Sequence, residues 1–102
     1  MAKIVWTEPA LSDLNDIAEY IALNNITAAK TLVQNVFKSV ERLEDFPSSG
    51  RIPPELQHLS YREVIVPPCR IFYKQDNSSI YILFVMREER DLRKFILDRS
   101  LS

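Results

Sequence analysis

The stretch Phe46-Pro47-Ser48-Ser49-Gly50-Arg51 separates a helical half of the sequence from a strand-forming half. Pro47 ends a helix, because its ring removes the N–H donor and disfavours helical geometry in the residue before it. The following Ser48-Ser49-Gly50 indicates a turn, and Gly50 is the only glycine of the protein. This position is compatible with a positive φ or with a close approach of another backbone, although a simple helix stop also accounts for it. The stretch therefore predicts a corner after a helix.

The residues before this corner predict a strand followed by a helical hairpin. Ile4-Val5-Trp6 is β-rich, Thr7 can cap a helix, and Pro9 fits the first turn of that helix. Asn24-Asn25 interrupts the helical pattern, and Thr27 offers a second cap. Apolar residues recur at helical spacing on both sides of the break: Leu11, Leu14, Ile17, Ala18 and Ile21 in the first helix, and Ala29, Leu32, Val33, Val36, Val40 and Leu43 in the second.

The residues after the corner predict strands. Residues 51–60 contain two prolines and no apolar periodicity, which indicates an exposed connection. Residues 61–66 alternate as a strand, and Pro67-Pro68 then marks a strand end, bulge or edge before a strand at 70–74. Residues 76–78 supply the turn into the next strand.

Residues 80–86 are apolar on both faces, which predicts a central strand covered on each side, or by the helices on one side and a partner on the other. Glu88 and Glu89 then open a third helix with Leu92, Phe95 and Ile96 along one side. The element order is β-α-α-β-β-β-α. We therefore expect an α+β fold, with a helical hairpin packed on a small, largely antiparallel sheet.

Length and composition limit the class of protein. The 102 residues, of which 46% are hydrophobic and 26% charged, suit one globular domain over residues 1–102. The net charge of −1 argues against a protein that coats nucleic acid, and we expect no sequence-specific DNA binding by the chain alone. Residues 1–50 are acidic, with four basic and seven acidic groups, whereas residues 51–102 carry nine basic and seven acidic groups.

Cofactor, metal and membrane sites are not expected. Cys69 is the single cysteine and His58 the single histidine, so neither a disulfide within the chain nor a Cys/His zinc site is predicted. The longest apolar run, 80–86, is about one third of the length of a membrane span, and nothing near Met1 resembles a signal peptide. We therefore expect a cytoplasmic protein.

The order of these features resembles the ParE/RelE superfamily of toxins from type II toxin–antitoxin systems. The resemblance runs from residue 3 to about residue 91 and rests on four features. These are the corner at 46–51, Tyr61-Arg62-Glu63, Arg70-Ile71-Phe72-Tyr73 and Arg87 at the end of an apolar strand. It implies a cytoplasmic growth-arrest toxin, of the kind associated with plasmid stabilisation. It also implies a cognate antitoxin that wraps its C-terminal segment across the toxin as a helix or a strand.

Two activities divide this superfamily. RelE-like members cut messenger RNA in the ribosome, whereas ParE-like members poison DNA gyrase. RNA cleavage needs a general acid, a general base and cations around the phosphate. The cations are available, because Arg62, Arg70, Arg87 and Arg90 could converge on one edge of the sheet, joined by Arg51.

The acid and base of a nuclease are harder to find. RelE-like nucleases carry a tyrosine in the C-terminal segment, whereas the matching segment of this sequence has Phe95, which lacks a hydroxyl. Met86 occupies the place of a histidine that many members of both branches carry. His58 matches no catalytic position of the family, although Glu63, Glu88 and Glu89 could act as a base in principle. We therefore expect a ParE-like, non-enzymatic gyrase inhibitor. The alternatives are a RelE-like ribosome-dependent endoribonuclease and a fold that has lost activity but still binds its antitoxin.

The candidate target- or antitoxin-binding residues have structural alternatives as well. The arginines could pair with neighbouring carboxylates, Tyr73 and Tyr81 could simply pack, and Asp13, Asp16 and Glu19 form a solvated helix face. The candidates are Arg51, Arg62, Arg70, Tyr73, Arg87 and Arg90, of which Arg62, Arg70, Arg87 and Arg90 would be the catalytic set of a nuclease.

Overall fold

A computed structural model describes residues 1–101, without the side chains of Asp98, Ser100 and Leu101. The elements follow the predicted order. They are β1 (Lys3–Trp6), α1 (Glu8–Ala22), α2 (Ile26–Glu41), β2 (Arg62–Val66), β3 (Cys69–Asp76), β4 (Ser79–Arg87) and α3 (Leu92–Leu101), with short 3₁₀ turns at Arg42–Glu44 and Pro54–Leu56.

The four strands form one mixed sheet in the order β1-β4-β3-β2. β1 runs parallel to β4, whereas the β2–β3 and β3–β4 pairs are antiparallel, which confirms the largely antiparallel sheet. β4 is central, as its apolar sequence predicts. However, β1 pairs only with residues 79–82 of β4, so the second half of β4 has no strand on that side.

Helices and a loop cover the two faces of the sheet. The helical hairpin packs on one face, where the largest core contains Leu14, Val36 and Ile82. The other face carries a smaller core of Phe72, Met86 and Leu92, with residues of α3 and of the 54–56 turn packed against it. The chain itself therefore supplies part of the cover on this second face. No helix in the described part of the chain is long and apolar enough to cross a membrane.

Two helix starts differ from the predictions. Asn25, not Thr27, caps α2, because its backbone is extended and its Oδ1 accepts a hydrogen bond from Ala28 N at 3.0 Å. The third helix starts at Leu92 and not at Glu88. The reason is that Asp91 caps it, with Oδ1 accepting from Lys94 N at 3.1 Å, which leaves residues 88–90 outside the helix.

The corner after α2 depends on close approach and not on a positive φ. Gly50 has an ordinary backbone, and a Cβ built on it would lie 2.5 Å from Tyr73 Oη and 2.8 Å from Glu63 O. The positive φ of the chain, 55°, belongs to Asn77 in the predicted turn between β3 and β4. The absence of a side chain at residue 50 therefore lets the corner lie directly on β2 and β3.

Candidate target-binding surface

Four of the six candidate residues lie around the corner, and two of these belong to a partly buried charge network. Arg70 Nε contacts Glu63 Oε1 at 2.6 Å, and its two terminal nitrogens contact the Glu55 carboxylate at 2.9 Å each. Arg51 Nε contacts Glu63 Oε2 at 2.8 Å. The Glu63 side chain is 0% exposed and that of Arg70 only 8%, so these charges stabilise one another away from solvent.

The network connects the 51–60 segment to the sheet. Arg51 and Glu63 also exchange backbone hydrogen bonds of 3.0 and 2.8 Å, so Arg51 extends the sheet by one residue beyond β2. The bidentate hydrogen bonds from Arg70 lower the pKa of Glu55 to about 2, and the same contacts raise the pKa of Arg70. The segment predicted to be an exposed connection is therefore held down by an ion pair, and its Pro53 is buried.

Tyr73 and Arg62 bind the corner directly. The Tyr73 hydroxyl accepts a hydrogen bond from Gly50 N at 2.9 Å and donates one to Pro47 O at 2.8 Å. Arg62 Nη1 donates to Gly50 O at 2.8 Å. Burial raises the pKa of Tyr73. These contacts give both candidate residues a structural role in the fold.

The structure does not bring all the candidate arginines to one face of the sheet. In the β3–β4 ladder Arg70 is paired with Met86, whereas Cys69 is paired with Arg87. Because successive side chains of a strand point to opposite faces, Arg70 lies on the α3 face and Arg87 on the helical-hairpin face. Arg70 and Arg87 therefore lie on opposite faces at the same end of the sheet.

Arg87 and Arg90 lie at the end of β4 and in the turn after it, residues 87–90, which we call the basic turn. Arg87 Nε forms a 2.6 Å ion pair with Glu89 Oε1, and both side chains are partly exposed. The Arg90 guanidinium lies 6.0 Å from the centre of the Phe95 ring. The basic turn and α1 enclose an open groove of 390 Å³, lined by Asp16, Ile17, Tyr20, Arg87, Glu89 and Arg90. Tyr20 is 66% exposed there.

Met86, Phe95, Cys69 and His58, which bear on the possibility of nuclease chemistry, lie in different surroundings. Met86 is buried, and Phe95 packs edge-on against Phe84 with ring centres 6.0 Å apart. Burial raises the pKa of the Cys69 thiol to about 11, so it is not a nucleophile at neutral pH. His58 is exposed in the 51–60 segment. Within the described residues, no cluster of three or more His, Cys, Asp or Glu side chains could hold a metal ion.

One residue with a specific role was missed by the sequence analysis. Asp13 was assigned to a solvated helix face, but its side chain is only 11% exposed. Its Oδ2 accepts a hydrogen bond from Val85 N at 3.1 Å, and it forms an ion pair with Arg99 of α3. Both partners lie more than 70 residues away in the sequence, so no local pattern could have predicted these contacts.

Known proteins are similar to this chain in sequence and in fold. The profile of the family described as the ParE toxin of the type II toxin–antitoxin system parDE matches residues 4–92. A protein named Toxin RelE2 from Caulobacter vibrioides is 32% identical over 91 residues, which cover 88% of this chain and 99% of that protein. A solved structure titled "Chromosomal ParDE TA system from P. aeruginosa" superposes with a TM-score of 0.72 at 24% identity, over 87% of this chain and 98% of that one.

These matches define the class of protein. The chain belongs to the ParE toxin family, within the ParE/RelE superfamily. It is therefore a toxin of a type II toxin–antitoxin system, a class of protein that pairs with a cognate antitoxin.

Proposed function

We propose that this toxin acts in the cytoplasm by inhibiting DNA gyrase, stabilising the cleaved complex of gyrase with DNA and arresting replication until its antitoxin neutralises it. In this proposal the toxin is a binding protein and not an enzyme. The surface that meets the target is the groove between α1 and the basic turn, with Arg87, Arg90 and Tyr20 as the contact residues.

The main support for the proposal is that two of the four arginines that a nuclease would need, Arg62 and Arg70, are bound by other groups of the chain. Arg70 is buried and binds two carboxylates, and Arg62 donates to the Gly50 carbonyl. A cation that stabilises a reacting phosphate must be able to reach it as charge develops. Moving Arg70 toward an RNA phosphate would leave the buried Glu63 with one arginine fewer, at a cost of several kcal/mol.

Two of the three carboxylates considered as the base of RNA cleavage, Glu63 and Glu89, are bound by arginines. Glu63 is the carboxylate closest to these arginines, but its two oxygens are already bound by Arg51 and Arg70. Glu88 and Glu89 lie within the basic turn, where the Glu89 carboxylate is bound by Arg87. The geometry therefore favours binding over proton transfer.

The chemistry of the groove suits a protein target. Arg87 and Arg90 are balanced by Asp16 and Glu89, so the groove has no excess of positive charge that would attract a polyanion such as ribosomal RNA. Exposed arginine and tyrosine side chains are the residue types that most often dominate the free energy of protein–protein binding. Tyr20 with the two arginines therefore fits a binding surface for gyrase.

A RelE-like, ribosome-dependent endoribonuclease is the second candidate. It is favoured by the name of the relative from Caulobacter vibrioides and by the exposure of Arg51, whose side chain is 57% exposed. In that case Arg51, Arg87 and Arg90 would have to act without Arg70. The target would then be messenger RNA in the ribosome, and no gyrase effect is expected.

A supercoiling assay with purified gyrase tests the proposal. We expect micromolar toxin to inhibit supercoiling and to trap cleaved DNA, and the double substitution Arg87→Ala with Arg90→Ala to weaken inhibition at least tenfold, as for the loss of one interface hot spot. Lys38→Ala on the exposed surface of α2 is the matched control for loss of positive charge and should inhibit like the wild type.

Two results would contradict the proposal. Wild-type toxin that neither inhibits supercoiling nor traps cleavage at micromolar concentration would remove gyrase as the target. Messenger RNA cut in a translation extract by the same preparation would then establish the endoribonuclease. Equal inhibition by the double variant and the wild type would remove the groove as the binding surface while leaving gyrase in place.

A further inference from the structure

The second half of β4 is completed by a helix and not by a strand. β1 ends its pairing at Ile82, so residues 83–87 of β4 have no strand on that side. Thr7, which caps α1, and Asp13 within α1 take its place: the Thr7 hydroxyl donates to Ile82 O at 2.6 Å, and Asp13 Oδ2 accepts from Val85 N at 3.1 Å. A side-chain carboxylate therefore satisfies a backbone group that a longer β1 would have paired.

The same carboxylate reaches the third helix. Asp13 Oδ1 forms an ion pair with Arg99, which α3 places beside the open edge of β4. The Arg99 guanidinium lies 4.9 Å from the ring centre of Phe84 on β4 and 4.6 Å from that of Phe95 on α3. Desolvation at this position lowers the pKa of Arg99. One aspartate thus connects α1, β4 and α3.

α3 contacts the rest of the fold through the small core and through Arg99. It is ten residues long, and a helix of this length is marginal in water by itself. Among the described side chains of this helix, Leu92, Phe95 and Ile96 pack on the small core, whereas Leu97 is 61% exposed. The ion pair of Arg99 adds a contact from the second half of the helix.

We propose that Asp13 is a positioning residue which, through Arg99, holds α3 against β4 and thereby fixes the basic turn. We call the Asp13–Arg99 pair the clasp. The turn is joined to α3 through the chain at Asp91 and through the Arg90 guanidinium above the Phe95 ring, so displacement of the helix displaces Arg90. The consequence for gyrase rests on the proposed function; the effect on the helix and the turn does not.

Hydrogen exchange measured on the full-length toxin tests the clasp. Asp13→Asn keeps an oxygen that can accept from Val85 N but removes the charge that binds Arg99. Arg99→Gln removes the positive charge of the pair and leaves the hydrogen bond between Asp13 and Val85 in place. It is the second variant, in case Asp13→Asn folds poorly. We expect either substitution to speed amide exchange in residues 88–97 roughly tenfold or more, the effect of losing one charged hydrogen bond, with α1 and β3 unchanged.

The double variant and a control make the test specific. If the two residues act as one clasp, Asp13→Asn combined with Arg99→Gln should speed exchange no more than either substitution alone. Glu41→Gln on the exposed end of α2 removes one negative charge elsewhere and should leave exchange in residues 88–97 at the wild-type rate. Unchanged exchange in both single variants would overturn the proposal, as would additive effects in the double variant.

Gyrase inhibition by the same variants separates the two proposals. Asp13→Asn should inhibit supercoiling several-fold more weakly than the wild type and the Glu41→Gln control. Faster exchange with unchanged inhibition would overturn the positioning role while leaving the gyrase proposal intact. A wild-type toxin that does not inhibit gyrase would refute the proposed function alone, and the exchange rates of residues 88–91 would then decide whether the clasp fixes the turn.

Discussion

Replacement of Tyr73 by phenylalanine removes one hydroxyl and leaves two backbone groups of the corner without a hydrogen-bond partner. In the wild type that hydroxyl binds Gly50 N at 2.9 Å and Pro47 O at 2.8 Å, on a side chain that is 1% exposed. A buried polar group left unsatisfied costs about 1–3 kcal/mol, so Tyr73→Phe should lower the free energy of unfolding by about 2–3 kcal/mol. The melting temperature should fall by roughly 10–20 °C for a chain of this size.

Urea unfolding followed by circular dichroism gives the free energy directly. Tyr81→Phe is the matched control, because Tyr81 is a half-buried residue of the neighbouring strand with no side-chain hydrogen bond among the described residues. It should change stability by less than about 0.5 kcal/mol. If Tyr73→Phe proves no more destabilising than Tyr81→Phe, the hydrogen bonds of Tyr73 do not stabilise the corner. Tyr73 would then again be a candidate target-binding residue.

Three further predictions concern the stability of the fold and the reactivity of its cysteine. Gly50→Ala should destabilise the protein by more than about 2 kcal/mol in urea unfolding, because the new Cβ would meet Tyr73 Oη at 2.5 Å. Glu55 has its pKa lowered from 4.5 to about 2 by Arg70, so its contribution to stability is complete above pH 4.5 and is lost as the pH falls toward 2. Glu55→Gln should therefore lower the melting temperature at pH 7 but not near pH 2, and a constant difference between these pH values would contradict this assignment. Cys69, buried and with a pKa of about 11, should resist alkylation by iodoacetamide at pH 8 until the protein is unfolded.

The sequence was sufficient for the fold because each element carries a local signal. Helical periodicity, the prolines around the corner and the apolar run of β4 are all properties of neighbouring residues. The errors occurred where two local signals competed. Asn25 and Thr27 are both capable caps, and only the extended backbone at Asn25 decides between them. Glu88 and Glu89 suit the start of a helix, but the chain needs residues 88–90 to turn back from β4.

The candidate site was harder to predict because it depends on contacts between distant residues. The direction of Arg70 and Arg87 follows from the register of β3 and β4, which shifts between Phe72 and Tyr73. A one-residue change of register moves a side chain to the other face of a sheet, so a sequence alone cannot assign these arginines to one surface. The role of Asp13 depends on the early end of β1, a length that no residue pattern marks.

The most direct test of the central proposal is induction of the toxin alone in bacteria, with DNA content, cell shape and bulk protein synthesis followed together. We expect filamentous cells in which replication stops while translation continues, and normal growth when Arg87 and Arg90 are both replaced by alanine. An immediate stop in translation with cleaved messenger RNA would contradict gyrase inhibition and would make this toxin a ribosome-dependent endoribonuclease.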